Sequence, residues 1–568
     1  MSNTLKVVIC VLNSKYVHSS LAPWYLTAAL EEHCGSSVQA AVIEGTINEK
    51  MEAVAERIVQ QKPQVVGFSC YIWNITATKH LMRLVKNRLP EVNVILGGPE
   101  VSYNAEDILQ AEALVDFIVC GEGEKPFALL LDAISQKGDV KNIPGLCYRQ
   151  GEQIIVNAPY ISAEDPPNPY TNQYFEALAG RIAYLETSRG CPYSCAFCLS
   201  GRCGSVHFFD LEESKKKLLL LANSGTKTIK LVDRTFNANR KRTRELFRFI
   251  IQEYGSKIPD GVCFHFEIAG DLLEQETIDL LSKAPPGLIQ FEIGMQSFNA
   301  KTLVAVSRKT DVNLLKSNIR SIIALRNIHV HLDLIAGLPY EDLESFQESF
   351  NTAYLLQPHA LQLGFLKILF GTPMREDPER YPSMYKLQPP YEVTATPWLS
   401  SAELTLLHYT EDALNRLYNS GRFRRTLQYV IKQTGATPFE LFIKFGEFTA
   451  RIGVKNISLD DYTAIVFQYF SKQSGVDQSV LRDVMVCDRL ATNASGKLPP
   501  ALRVYDPSQK KIIKQLEGKA FPPPPAGIRR GYALLYSEPC LVYVDYEHKN
   551  PVSGEYPLCF YKLTAVDN

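Results

Sequence analysis

The chain has 568 residues, 46% hydrophobic and 21% charged, which excludes global disorder and a coiled coil. Its 60 basic and 61 acidic side chains leave a net charge of −1, which speaks against a protein that coats nucleic acid or lies on an anionic membrane. No apolar run approaches the ~20 residues that span a bilayer, and Met1–Asn3 lack the charge of a signal peptide, so a cytoplasmic chain with reduced thiols is expected.

Residues 1–150 alternate short β-rich runs with helical spacing. Lys6–Leu12, Val65–Ser69, Val92–Leu96 and Phe117–Cys120 read as strands; Ala22–His33, Thr76–Leu89 and Phe127–Ile134 read as helices. This order predicts an α/β, doubly wound (Rossmann-like) domain around a parallel sheet. Ligands of such sheets lie beyond the carboxyl ends of the strands. Gly97, Gly98, Gly121 and Gly123 fall at those ends, where they allow tight turns and close approach to a ligand. A Pro-rich polar stretch at 162–172 predicts a linker within 151–180.

From Ala183 the alternation resumes. Strand-like runs at Ala183–Glu186, Thr228–Val232, Cys263–Ile268, Ile289–Gly294, His329–Ile335 and Leu361–Leu366 predict a partial (β/α)6 barrel over 181–390. After a second Pro-rich break, residues 391–568 read as a mostly helical domain with a few strands beyond the Pro run at 521–525.

The chemistry concentrates in Thr187-Ser188-Arg189-Gly190-Cys191-Pro192-Tyr193-Ser194-Cys195-Ala196-Phe197-Cys198, just after a strand. Thiolates spaced C-x3-C-x2-C suit an iron–sulfur cluster or zinc. A structural zinc site needs a fourth ligand, which Cys203 or His207 would provide. Three buried structural thiols are a further reading. In a cubane cluster three cysteines leave one iron open to bind another molecule directly.

That segment resembles the signature of radical S-adenosylmethionine enzymes. Gly294-Met295-Gln296-Ser297, Asp333–Pro339 with Gly337, and Gly364–Pro373 resemble later motifs of the same family in the same order, over about 181–375. The resemblance implies that Cys191, Cys195 and Cys198 ligate a 4Fe–4S cluster. It implies further that S-adenosylmethionine chelates the open iron and is cleaved reductively to a 5′-deoxyadenosyl radical. Phe197, Gly294, Gln296, Ser297 and Gly337 then fall to cofactor binding. Glu267, on its strand, is a candidate for cofactor or substrate, with a salt-bridged carboxylate as the plain alternative. His331 and Asp333 share one strand face and complete the catalytic candidates. Asp233 and Asn237 follow the second barrel strand, at a position that faces a site or closes a turn.

Residues 1–145 resemble the cobalamin-binding domain found ahead of many such enzymes, through Leu96–Glu100 and Gly121–Glu124. The sequence departs from the cobalt-ligating pattern, because no Asp-x-His-x-x-Gly occurs there; its histidines are His18, His33 and His80. Cobalamin is therefore left open: bound without a protein imidazole, or absent from a repurposed pocket. Tyr71, Trp73 and Asn74 line that pocket or cover the sheet end. The whole layout resembles a subgroup that includes enzymes similar to queuine lyase. The first expectation is a radical lyase or rearrangement enzyme on a small molecule or nucleoside. A cobalamin-dependent methyltransferase is the alternative, and a non-catalytic iron–sulfur or zinc module the third. The resemblance implies an electron donor such as flavodoxin or ferredoxin, with no membrane and no bulk nucleic acid as partner.

Overall fold

The computed structural model describes residues 4–202, 204–505, 508–516 and 522–563; Cys203 and residue 521 of the Pro-rich run lie outside them. Two compact units result. One gathers residues 1–283, 303–310 and 365–397, the other 284–302, 311–364 and 398–568.

The first unit opens with a seven-stranded sheet: β1 (Leu5–Asn13), β2 (Val38–Thr46), β3 (Val65–Ser69), β4 (Asn93–Gly97), β5 (Phe117–Val119), β6 (Leu146–Gln150) and β7 (Gln153–Val156), in the order β2-β1-β3-β4-β5-β6-β7. β1 to β5 run parallel, while β6 and β7 close the edge antiparallel. Every residue of β3 is buried, as expected for a strand with both faces covered. Val54, Ile58, Leu81 and Val85 from helices Met51–Gln60 and Ile75–Arg88 cover one face. Ala29, Leu30, Phe127 and Leu131 from helices Ala22–Cys34 and Glu124–Gln136 cover the other. The doubly wound domain is thus as the sequence predicts, with two additions. β2 is an edge strand, and Gln39, Glu44 and Gly45 dilute its apolar signal. The hairpin β6–β7 extends the sheet into residues that read as linker.

The same unit continues with β8 (Ala183–Leu185), the short pair β9 (Ser188–Arg189) and β10 (His207–Phe208), then β11 (Thr228–Leu231) and β12 (Cys263–Ile268). β8, β11 and β12 are parallel neighbours. The second unit holds β13 (Ile289–Gln296) and its parallel neighbour β14 (His329–Ala336), then β15 (Ala360–Phe365). Side chains of a strand alternate between faces. The buried face of β13 and β14 is apolar, and the half-buried face carries Glu292, His331 and Asp333. On β11 and β12 the corresponding positions are Lys230, His265 and Glu267.

Beyond residue 398 the chain is mainly helical. Helices Ser401–Leu414 and Pro438–Arg451 both start in capping boxes, Ser400 with Glu403 and Thr437 with Glu440, which satisfy otherwise orphaned helix donors. Phe439, Phe442 and Phe445 bury the inner face of the second. A three-stranded antiparallel sheet of Arg530–Leu535, Cys540–Asp545 and Cys559–Lys562 follows. Among the described residues no helix is long and apolar enough to cross a membrane.

Candidate cofactor site

The root of the cysteine loop is held by a buried carboxylate. Asp233, just after β11, accepts hydrogen bonds from the Thr187 backbone N–H at 3.0 Å, the Thr187 hydroxyl at 2.7 Å and the Ser188 hydroxyl at 2.5 Å. Burial pushes its carboxyl above the ordinary range while these donors pull it back. The middle of the loop is pinned from two other segments: Ala196 donates to the Val306 carbonyl at 2.9 Å, and Met374 donates to the Ala196 carbonyl at 3.1 Å. Each thiol has a polar neighbour. Cys191 Sγ lies 3.4 Å from the Thr235 hydroxyl, and Cys198 Sγ accepts from Ser200 N–H at 3.4 Å. Cys195 is buried, with Arg308 Nη1 3.8 Å from its sulfur. Burial raises the Cys195 thiol, Arg308 lowers it, and the charges of Cys198 and Cys191 reach it.

Among the described residues no group of three His, Cys, Asp or Glu side chains is gathered as a ready metal cage. The triad fits an iron–sulfur cluster through its all-thiol donor set, its mutual electrostatic reach and the cation beside its most buried member. His207, the proposed completion of a zinc site, has Nε2 turned to Asp165 at 3.0 Å.

Arg189 lies two residues before Cys191. Its Nη1 meets Glu122 at 2.8 Å, its Nη2 meets Glu124 at 2.6 Å and Glu186 at 3.0 Å, and its Nε meets Glu186 at 3.1 Å. The rings of Tyr25 and Phe209 flank the guanidinium at 5.3 and 5.8 Å. Burial pushes the Glu186 carboxyl up, and Arg189 opposes that shift.

These groups border a cleft of 610 Å³ whose lining includes His18, Tyr71, Trp73, Glu124 and Arg234. The order of the sheet reverses between β1 and β3, the switch point at which doubly wound sheets take their ligands. A smaller apolar crevice of 130 Å³ reaches in among Gly67, Gly97, Gly98 and Phe127. Tyr71 and Trp73 stack with centroids 4.4 Å apart and present an aromatic face. His18 Nδ1 is 2.7 Å from the Tyr184 hydroxyl, and burial pushes its pKa below the ordinary 6.5. Asn74 is no lining residue. Its side-chain amide donates to the Leu12 and Ser69 carbonyls and ties the ends of β1 and β3 together.

The strand-end glycines divide. Gly97 has room, a Cβ at Gly123 would press on the Leu26 side chain at 3.3 Å, and Gly98 (φ +108°) and Gly121 (φ +89°) are required by packing. A Cβ there would meet the Cys70 carbonyl at 2.5 Å and the Tyr160 carbonyl at 2.2 Å.

Glu267 lies on β12 with Oε2 4.0 Å from Arg234 Nη1, and Phe197 is half-buried in the loop. Asn237 exchanges two hydrogen bonds with Ala269, at 2.7 and 2.9 Å, and knits strand ends rather than facing a ligand.

In the second unit, Gly294 and Gln296 sit at a register shift ending β13, and Gln296 has φ +69°. Gly337 follows β14 and is buried. Ser297, assigned by the resemblance to cofactor binding, is buried with its hydroxyl engaged within the protein. Its hydroxyl donates to Glu341 Oε1 at 2.5 Å and accepts from Asn299 N–H at 2.9 Å. Ser349 also donates to Glu341, at 3.0 Å, and burial pushes the Glu341 carboxyl up to about 7. His331 Nε2 lies 3.3 Å from Asp333 Oδ1, with Glu292 opposite His331 in the β13–β14 register. Arg308 and Glu341 as supports were missed by sequence reasoning, and Asp233, singled out there as facing a site or closing a turn, holds Thr187 and Ser188 instead. Each acts across more than 40 residues, and no local signal announces its partner.

A doubly wound domain with a ligand cleft, followed by a three-thiol loop at a strand end, defines the class. The model of the B12 binding domain matches residues 7–131, and that of the radical SAM superfamily matches 185–353. A family of unknown function, DUF4080, matches 379–521. The chain thus carries a radical SAM domain behind an N-terminal B12-binding domain, with a segment of a family of unknown function after them. A 4Fe–4S cluster and S-adenosylmethionine are the cofactor set this family implies. The cobalamin-dependent radical SAM methyltransferase TokK of Streptomyces tokunonensis is 28% identical over 319 residues, 52% of this chain and 45% of its own. An anaerobic magnesium-protoporphyrin IX monomethyl ester cyclase of Cereibacter sphaeroides is 24% identical over 324 residues, 54% of this chain and 52% of its own. The chain therefore spans about half the length of these curated relatives. The cobalamin-dependent S-adenosylmethionine radical enzyme OxsB, solved with aqua-cobalamin, shares the fold with a TM-score of 0.58 at 15% identity, over 86% of this chain and 79% of that one.

Proposed function

We propose that the protein is a cobalamin-dependent radical S-adenosylmethionine methyltransferase acting on a small molecule. The observation that carries this reading is the junction of cleft and loop: Arg189 joins the thiol segment to Glu122 and Glu124 at the rim of the switch-point cleft. The methyltransferase relative supports it, as does the likeness to a fold solved with cobalamin. The lyase and queuine-related readings are not carried forward. The relatives described above are a methyltransferase and a cyclase, neither of them a lyase.

When bound, the cluster and S-adenosylmethionine supply one-electron cleavage of a sulfonium, and cobalamin supplies a transferable methyl group. Cys191, Cys195 and Cys198 would hold the cluster, and the Arg308 cation offsets thiolate charge beside Cys195. Asp233 fixes the loop root. The crevice beside Gly97 and Phe127 suits the nucleotide tail of cobalamin, and its corrin would meet Tyr71 and Trp73. His18 is engaged with Tyr184, consistent with binding that uses no protein imidazole. On half-buried strand positions of the first unit, Lys230, His265 and Glu267 are candidates to orient substrate or move a proton. A flavodoxin- or ferredoxin-type donor supplies the electrons.

The test is anaerobic purification, cluster rebuilding and incubation with hydroxocobalamin, S-adenosylmethionine and reductant. The reading expects retained cobalamin and formation of both 5′-deoxyadenosine and S-adenosylhomocysteine with candidate substrates. Absence of bound cobalamin, with 5′-deoxyadenosine as the sole product, would overturn methyl transfer in favour of a radical reaction without it.

A further inference from the structure

One Arg189 guanidinium meets three carboxylates from two segments of the chain: Glu186, just after β8, and Glu122 and Glu124, in the turn after β5 and at the start of the helix that follows it. All four side chains are largely shielded, at 14 to 17% exposure, so these pairs are not the solvated kind that contribute little. The guanidinium is planar and offers its donors in a fixed fork, with the Tyr25 and Phe209 rings 5.3 and 5.8 Å away. A shift of the β5 loop therefore moves the fork, and the fork moves a backbone position two residues from Cys191. The run Gly121-Glu122-Gly123-Glu124 after β5 borders the cleft itself.

We propose that Arg189 is a positioning residue that couples the filling of the cleft to the assembly of a cluster on the thiol loop. This rests on the reading above, in which cobalamin takes the cleft and Cys191, Cys195 and Cys198 the cluster. Whatever settles the β5 loop settles the thiol loop, and by linkage the converse holds with the same factor.

The experiment titrates hydroxocobalamin by its visible absorbance into the full chain, once with the cluster rebuilt and once after its removal by chelation. Wild-type Kd should tighten about tenfold when the cluster is present, within the usual range of coupled sites. In Glu122→Gln/Glu124→Gln, and separately in Arg189→Lys, which keeps the charge but loses the fork, that ratio should fall to near one. Each group should still bind alone, and the far-UV spectrum and melting profile should stay those of a folded chain. An unchanged wild-type Kd with and without cluster, both groups binding, overturns the coupling and leaves the functional reading standing. Failure of cobalamin or of the cluster to bind at all overturns that reading itself and the coupling with it. The wild-type comparison needs no variant, so a misfolded variant does not shield the proposal.

Discussion

Replacing Glu341 with Gln should stabilise the protein at alkaline pH and leave it nearly unchanged in acid. Glu341 is fully buried, accepts from the Ser297 and Ser349 hydroxyls, and has its second carboxyl oxygen buried without a partner. Burial lifts its carboxyl from 4.5 to about 7. The folded state therefore favours the protonated form. The sign follows: the stability is fully present below pH 4.5 and is lost as pH rises through about 7. At ~1.36 kcal/mol per pH unit the rise amounts to roughly 3 kcal/mol of destabilisation above pH 8. Gln keeps an acceptor for both serines and carries no charge, so that loss disappears. Anaerobic urea unfolding of wild type and variant from pH 5 to pH 8.5 reads the difference. The two stability curves should separate by ~3 kcal/mol across this window, the variant lying above at the alkaline end. Parallel curves, with a constant offset, would refute the buried-carboxylate reasoning.

Three other outcomes follow from the site. Gly98→Ala forces a side chain into φ +108° and against the Cys70 carbonyl, and thermal unfolding should report a loss of at least ~1–3 kcal/mol. Gly97→Ala meets nothing closer than 3.7 Å, so its melting should stay near wild type while hydroxocobalamin binds more weakly, because the added methyl enters the crevice. Cys195→Ala should abolish the ~400 nm absorbance of the rebuilt cluster; full iron and sulfide content in that variant would remove Cys195 from the ligand set.

The cofactor chemistry was largely legible in the chain, because its signal is contiguous. C-x3-C-x2-C packs three thiols into eight residues after a strand, a local pattern that suggests one shared centre without any knowledge of the fold. The parallel sheet was legible for a similar reason: continuous apolar runs such as Val65–Ser69 are what strands covered on both faces require. Edge elements were not. β2 packs on one neighbour, tolerates Gln39 and Glu44, and so lacks the pattern that a buried strand must show.

By itself, then, the sequence showed the order of the B12-binding and radical SAM segments, the cysteine triad and the strand ends of the parallel sheet. Local propensity and burial period are properties of neighbouring residues. Tertiary structure alone decided how those parts are tied together. It set Asp233 against Thr187 across 46 residues, Arg308 against Cys195 across 113, and Arg189 against Glu122 across 67. It also set the Ser297 hydroxyl on Glu341, across 44 residues. Charges and hydroxyls in this chain carry no periodic mark of their partners. A buried polar group takes whichever complementary group the packing of the apolar faces brings within reach, and that choice exists only once the strands and helices have assembled.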